Sequence, residues 1–196
     1  MSKGAIITTI VLAGLLLAAI VAFLVLSKIE EEPEEEVVVE QEEEQSLEGI
    51  SGTDVYTNSD WGFEMNYPSG WRPETIADEE TAFSVSFVSD SQNYEAILID
   101  AFIPEEGDNF ENAIEAQKKE LAKQLELLSE ENVNLGALLG YATEYRASDY
   151  FSEIGYLFYF IDTGSAWYQI SYTGAGEQYA INKETIEDIL KSFKTI

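Results

Sequence analysis

Trp61-Gly62-Phe63-Glu64-Met65-Asn66-Tyr67-Pro68-Ser69-Gly70-Trp71 is an alternating stretch that runs straight into a tight turn. Phe63, Met65 and Tyr67 fall on one side of an extended chain, and Gly62, Glu64 and Asn66 on the other. That period of two marks a half-buried strand. Pro68 fixes φ and Gly70 permits a backbone conformation other residues avoid, so the chain reverses there. Tyr67 and Trp71 then flank the turn, placed to pack across it and close one end of a core. Arg72-Pro73 ends this extended piece.

Downstream, Phe83, Val85 and Phe87 alternate with Ser84, Ser86 and Val88 as a second half-buried strand. Tyr94 to Ile103 is apolar on both sides, with Ile97 and Ile99 against Ala96, Leu98 and Phe102, which predicts a strand covered on both faces. Asp108, with Glu111 three residues on, reads as an N-cap. The predicted helix carries Phe110, Ile114, Leu121, Leu125 and Leu128 in one stripe and ends near Asn132. Leu139 to Ala147 reads as a strand. Glu153 to Ile161 and Ala166 to Thr173 form a hairpin about Asp162-Thr163-Gly164-Ser165. Gly174-Ala175-Gly176 reads as a loop, and Asn182 as the cap of a last helix bearing Ile186, Ile189, Leu190 and Phe193. Strands, helix, strands, helix is an α+β order, with helices packed on an antiparallel sheet.

Before this part the chain changes character twice. Ala5 to Leu26 is a run of 22 residues without a charge. At helical rise it spans roughly 33 Å, the thickness of a bilayer's hydrocarbon core. It is longer than a cleavable signal's apolar region and lacks a small-x-small cleavage pair, so residues 1–28 are expected to stay as a single transmembrane anchor. Lys3 and the terminal amine before it favour an N-terminus inside and the rest outside. Ile29 to Glu48 holds 11 Glu and no Lys or Arg. Self-repulsion predicts an acidic disordered linker over 29–49, and residues 50–196 form the folded domain.

Trp61 to Trp71 resembles the opening signature of the PsbP-like domain family, named for an extrinsic subunit of photosystem II. The ending is similar too: Trp167-Tyr168-Gln169-Ile170-Ser171-Tyr172-Thr173, then a helix closing on Ser192-Phe193. The strand apolar on both sides, the long helix, and Gly140-Tyr141 leading into Glu144-Tyr145 suit the family's layout. The similarity covers roughly Thr53 to Ile196, and it implies an α/β/α sandwich with a central antiparallel sheet. It singles out Gly62, Phe63, Tyr67, Pro68, Gly70, Trp71, Ser192 and Phe193, whose aromatic, Pro and Gly chemistry reads as structural. The family includes prokaryotic domains that are secreted or tethered to membranes, and this chain resembles a tethered one. The photosynthetic metal positions cannot be carried over, because the chain has no His.

Composition excludes more chemistry than it suggests. With no Cys and no His there is no thiolate nucleophile, no serine–histidine–aspartate triad, no histidine-bound zinc or haem and no disulfide. A net charge of −28 would repel nucleic acid and anionic lipid. Asp78-Glu79-Glu80, Glu105-Glu106 with Asp108, and Glu130-Glu131 are acidic clusters, but none shows the paired spacing that glycoside hydrolysis needs. Asn58-x-Asp60-x-Gly62 is faintly like a calcium loop, yet its first acid and its terminal Glu are missing. Tyr150-Phe151 and Tyr156 to Phe160 could pave a partner surface. The expectation is a non-enzymatic domain without cofactor or metal, anchored in a cytoplasmic membrane and held on its outer face. It would bind a protein partner or assist assembly of a membrane or envelope complex. The alternative is an envelope domain that binds or hydrolyses glycans or small molecules.

Overall fold

The computed structural model describes residues 49–89, 95–148 and 153–196. The anchor expected over 1–28 and the linker up to Glu48 lie outside the described residues, as do Tyr94, Tyr150 and Phe151. Among the described residues no helix is long and apolar enough to cross a membrane.

In chain order the elements are β1 (Thr53–Asn58), β2 (Phe63–Pro68), β3 (Arg72–Asp78), β4 (Ala82–Val88), β5 (Ala96–Phe102), α1 (Phe110–Leu121), β6 (Glu126–Leu135), β7 (Leu138–Ser148), β8 (Glu153–Asp162), β9 (Trp167–Ala175), α2 (Gly176–Lys191) and β10 (Lys194–Thr195). Seven strands form an antiparallel sheet in the order β3-β4-β5-β9-β8-β7-β6, and a small second sheet runs β1-β2-β10.

The alternation of β8 explains the layers. Leu157, Tyr159 and Ile161 face one side, Tyr156, Phe158 and Phe160 the other, and all six are buried. The first set joins Phe83, Val85 and Phe87 of β4, Ile97 and Ile99 of β5, Phe63 and Met65 of β2, and Ile186, Ile189 and Leu190 of α2 in the main core. The second set packs with Tyr145 and with Ile114 of α1. One helix thus covers each face, and the small sheet completes the α2 side. Every residue of β5 is buried between β4 and β9, as its two-sided apolar pattern predicts.

Several elements differ from expectation. The chain does not stop being extended at Arg72-Pro73; it begins β3 there, an exposed edge strand where Pro is tolerated because one row of amides has no partner strand. The N-cap of α1 is Asn109, not Asp108. Asn109 is extended at φ −127° and its Oδ1 accepts from the Asn112 amide at 2.9 Å, while Asp108 accepts from the Glu105 amide and closes the preceding turn. α1 ends at Leu121, so Leu125 and Leu128 are off it and Glu126 to Leu135 is β6. Good helix formers there lose to long-range pairing with β7 and to entry of Val133 and Leu135 into the main core.

Gly174-Ala175-Gly176 is not a loop but the end of β9 joined directly to α2. Gly155 and Gly174 sit opposite one another across β8 and β9. A Cβ on Gly155 would come within 2.5 Å of the Tyr179 ring, and one on Gly174 within 2.6 Å of the Tyr172 hydroxyl. The pair leaves a shallow seat on which Tyr179 stacks at 5.5 Å from Tyr172. Asn182, read as a cap, is inside α2 and buried. Its Nδ2 donates to Glu95 at 2.7 Å and its Oδ1 accepts from the Ile50 amide at 3.0 Å, pinning the start of the domain to α2.

Candidate functional site

The residues singled out by the family signature converge, although they lie at opposite ends of the domain. Phe63 stacks on Phe193 with ring centroids 5.6 Å apart, and both are fully buried. The Asn66 amide donates to Ser192 Oγ at 2.8 Å, and the Ile196 amide to the Gly62 carbonyl at 3.0 Å. Tyr67 meets Phe87 at 4.8 Å; Tyr67 and Trp71 are half-buried against the main core. Pro68 is buried at the end of β2, and Gly70 turns the chain with φ +84°. These eight residues fasten the small sheet and the chain's closing segment to the core.

The acidic clusters do not assemble a metal centre: among the described residues no group of three or more potential ligands is placed to hold an ion. Asn58 Oδ1 is occupied in accepting from the Asp60 and Trp61 amides at 3.1 and 3.0 Å, so the calcium-like spacing is a capped turn. Tyr156, Phe158 and Phe160 lie beneath α1 and are core, not a partner surface.

A concave feature with apolar walls lies between the first half of α1 and the β6–β7 turn, apart from a shallow, mostly polar hollow of about 530 Å³ lined by Asp60, Trp61, Asp78, Glu79 and Glu80. The feature beside α1 is an open groove of about 710 Å³. Phe110, Ile114, Leu138 and Leu139 give it apolar walls, and Glu111, Glu115 and Asp162 line it with carboxylates; no Lys or Arg lines it. The strand period dictates the placement of the two leucines. Consecutive residues face opposite sides of a sheet. Leu138 therefore packs toward the main core, and Leu139 is left on the α1 side, 73% exposed.

Where Glu115 and Tyr141 stand, the groove is bounded by a polar bridge. Lys118 Nζ lies 2.7 Å from Glu130 and donates to Tyr141 Oη and Glu115 at 3.0 Å, while Tyr141 Oη donates to Glu130 at 2.6 Å. The Glu130 bond, then that to Tyr141, holds the Lys118 ammonium well above the usual lysine range. The same contacts, Lys118 first, lower Glu130. Burial, then Glu130, raises the Tyr141 phenol. Lys118 stays cationic and Tyr141 neutral, so the bridge fixes α1 to β6 and β7 without offering a proton near neutrality.

Among the described residues, Asp100 is a strongly perturbed carboxylate in the sheet interior. It is buried on β5, accepts from Ser84 Oγ at 2.7 Å through Oδ1, and has Gln169 directly opposite on β9. Its Oδ2 and Gln169 Oε1 are both buried and unpartnered. Burial pushes its carboxyl up to about 6, against a smaller lowering by Ser84.

Of the groove residues, Leu139, Gly140 and Tyr141 lie in a strand that the sequence pattern delimits to within a residue at each end, whereas Phe110, Glu111, Ile114 and Glu115 lie in a helix whose end it misplaces and Asn132 in a strand it misses. The signal that was available is Leu138-Leu139 just past Gly136, since two successive leucines in a strand cannot share a face.

A seven-stranded antiparallel sheet with a helix on each face and a small sheet joining the first and last strands of the folded domain defines an α+β sandwich. The chain belongs to the PsbP-like protein family, whose profile matches residues 9–195. Cyanobacterial PsbP (CyanoP) from Synechocystis sp. PCC 6803 has a similar structure, with a TM-score of 0.59 at 16% identity over 76% of this chain and 95% of that one. A protein of Pseudomonas aeruginosa matches at a TM-score of 0.48 and 10% identity, over 72% of this chain and 96% of its own. One from Bacteroides thetaiotaomicron matches at 0.46 and 18%, over 72% of this chain and 48% of its own. No curated protein is detectably similar in sequence.

Proposed function

We propose that this protein is a non-catalytic binding domain, held on the outer face of a cytoplasmic membrane by residues 1–28 with its N-terminus inside, and spaced from the bilayer by the acidic stretch 29–49. It engages a protein partner, or assists assembly of a membrane or envelope complex. The observation that carries this reading is the groove beside α1, an open concave surface with an exposed leucine at its rim. Singly exposed apolar side chains are ordinary on protein surfaces, but Leu139 is the most exposed of the large ones among the described residues and shares a concave surface with Phe110 and Ile114, which supports a partner there.

The hydrolytic alternative needs two carboxylates facing each other across a cleft, one of them free to carry a proton. In the groove Glu115 is engaged by Lys118, and Asp162 caps the β8–β9 turn by accepting from the Gly164 amide at 2.8 Å. The absence of His and Cys from the chain removes imidazole and thiol chemistry as well.

The test is co-purification of the full chain from detergent-solubilised native membranes, comparing wild type with Leu139→Asp. A protein retained by wild type and stripped from the variant supports the reading; identical sets of co-purifying proteins refute it.

A further inference from the structure

We propose that the groove between α1 and the β6–β7 turn takes a basic, apolar peptide segment of a partner protein. Lys or Arg side chains meet Glu111, Glu115 and Asp162, while an apolar side chain between them rests on Phe110, Ile114 and Leu139. This rests on the protein-binding reading above and narrows the partner's chemistry.

Charge complementarity selects the occupant. The groove is lined by three carboxylates and no cation. The folded part around it carries 27 acidic against 8 basic residues, so the surrounding field reinforces the local one. Lys118 does not neutralise the rim: its ammonium is shared with Glu130 and Tyr141, and it meets Glu115 through Oε1 alone, leaving a carboxylate 70% exposed. The apolar floor disfavours a purely ionic ligand, because an inorganic cation gains nothing from Phe110, Ile114 and Leu139. A segment that alternates basic and apolar side chains satisfies both walls.

The same field disfavours the other occupants. A second copy would bring its own acidic surface against these acids. The chain's own linker, with 11 Glu and no Lys or Arg between Ile29 and Glu48, is repelled from the groove.

The test uses the full chain in detergent micelles, with empty micelles as blank, and fluorescence anisotropy of three labelled peptides: alternating Lys-Leu, alternating Lys-Ser and alternating Glu-Leu. Leu139→Ser and Glu111→Lys change exposed groove residues. Val55→Ser changes an exposed residue of β1 as a control for general apolar loss. The Lys-Leu peptide is expected to bind, to lose about tenfold in affinity with either groove variant, and to be unaffected by Val55→Ser. The Glu-Leu peptide is expected not to bind. Equal binding of the Lys-Ser peptide, or affinity for Lys-Leu unchanged by both groove variants, overturns the proposal, since only diffuse attraction to an acidic protein would remain. If those peptide results fail while Leu139→Asp still strips a co-purifying protein from the membranes, the basic occupant alone is refuted. If co-purification is insensitive to Leu139, the protein-binding reading itself fails.

Discussion

Replacing Asp100 with Asn should make the domain more stable at neutral pH and remove a specific piece of its pH dependence. Asp100 is buried beside Ser84 and Gln169, and its carboxyl is pushed from 3.8 to about 6. The folded state therefore prefers the neutral acid. Between pH 3.8 and 6 it binds more protons than the unfolded chain, so stability falls as pH rises through that window, and the whole penalty is present above it. A shift of this size corresponds to about 3 kcal/mol at pH 7. Asn keeps the acceptor for Ser84 Oγ, and its amide supplies a donor where Oδ2 and Gln169 Oε1 now stand as two unpartnered acceptors. The assay is urea unfolding of the full chain in micelles followed by tryptophan fluorescence. All three Trp (Trp61, Trp71 and Trp167) lie in the folded domain, so the signal reports on it alone. The stability difference between variant and wild type is the quantity to read, because other titrations cancel in it. It should be smallest near pH 4 and grow to about 3 kcal/mol in favour of Asn by pH 7. A difference that is flat with pH, or a wild type more stable than the variant at pH 8, refutes the reasoning.

Gly155→Ala should destabilise by about 1–3 kcal/mol, because the new methyl meets the Tyr179 ring at 2.5 Å and α2 must lift. Chemical denaturation measures the loss, and adding Tyr179→Leu should recover part of it. Phe193→Ala should cost about 3–5 kcal/mol, because it opens a cavity against Phe63 and Tyr168 in the main core. A thermal melt lowered by only a degree or two would show that the chain's closing segment does not fasten the domain.

Legibility followed burial. β2, β4, β5, β7, the β8–β9 hairpin and the Ile186–Phe193 stripe could be read because each buries one face or both, and burial writes a period into the sequence. β3 and β6 could not. They are the two edges of the large sheet and are mostly exposed, so their side chains answer to solvent and carry little alternation. Glu126 to Asn132 even favours a helix locally, and only pairing with β7 overrides it. Asn182 has the right chemistry for a cap, but its amide is committed to Glu95 and Ile50, contacts too remote in the chain for a local pattern to reveal. The family signature marked Phe63 and Phe193 separately; that they stack on one another follows from topology, not spacing. The groove was invisible for the same reason. It needs α1 to stop at Leu121 and the register of β7 to turn Leu139 outward beside Glu111 and Glu115.

Site-specific photo-crosslinking in native membranes tests the binding reading most directly. A benzophenone side chain is placed at Leu139, in the groove, or at Val55, also exposed, on the small sheet. If the groove is the docking surface, position 139 yields a discrete crosslinked protein and position 55 does not. Equal labelling from the two positions, or none from 139 while the chain is intact and folded, contradicts it.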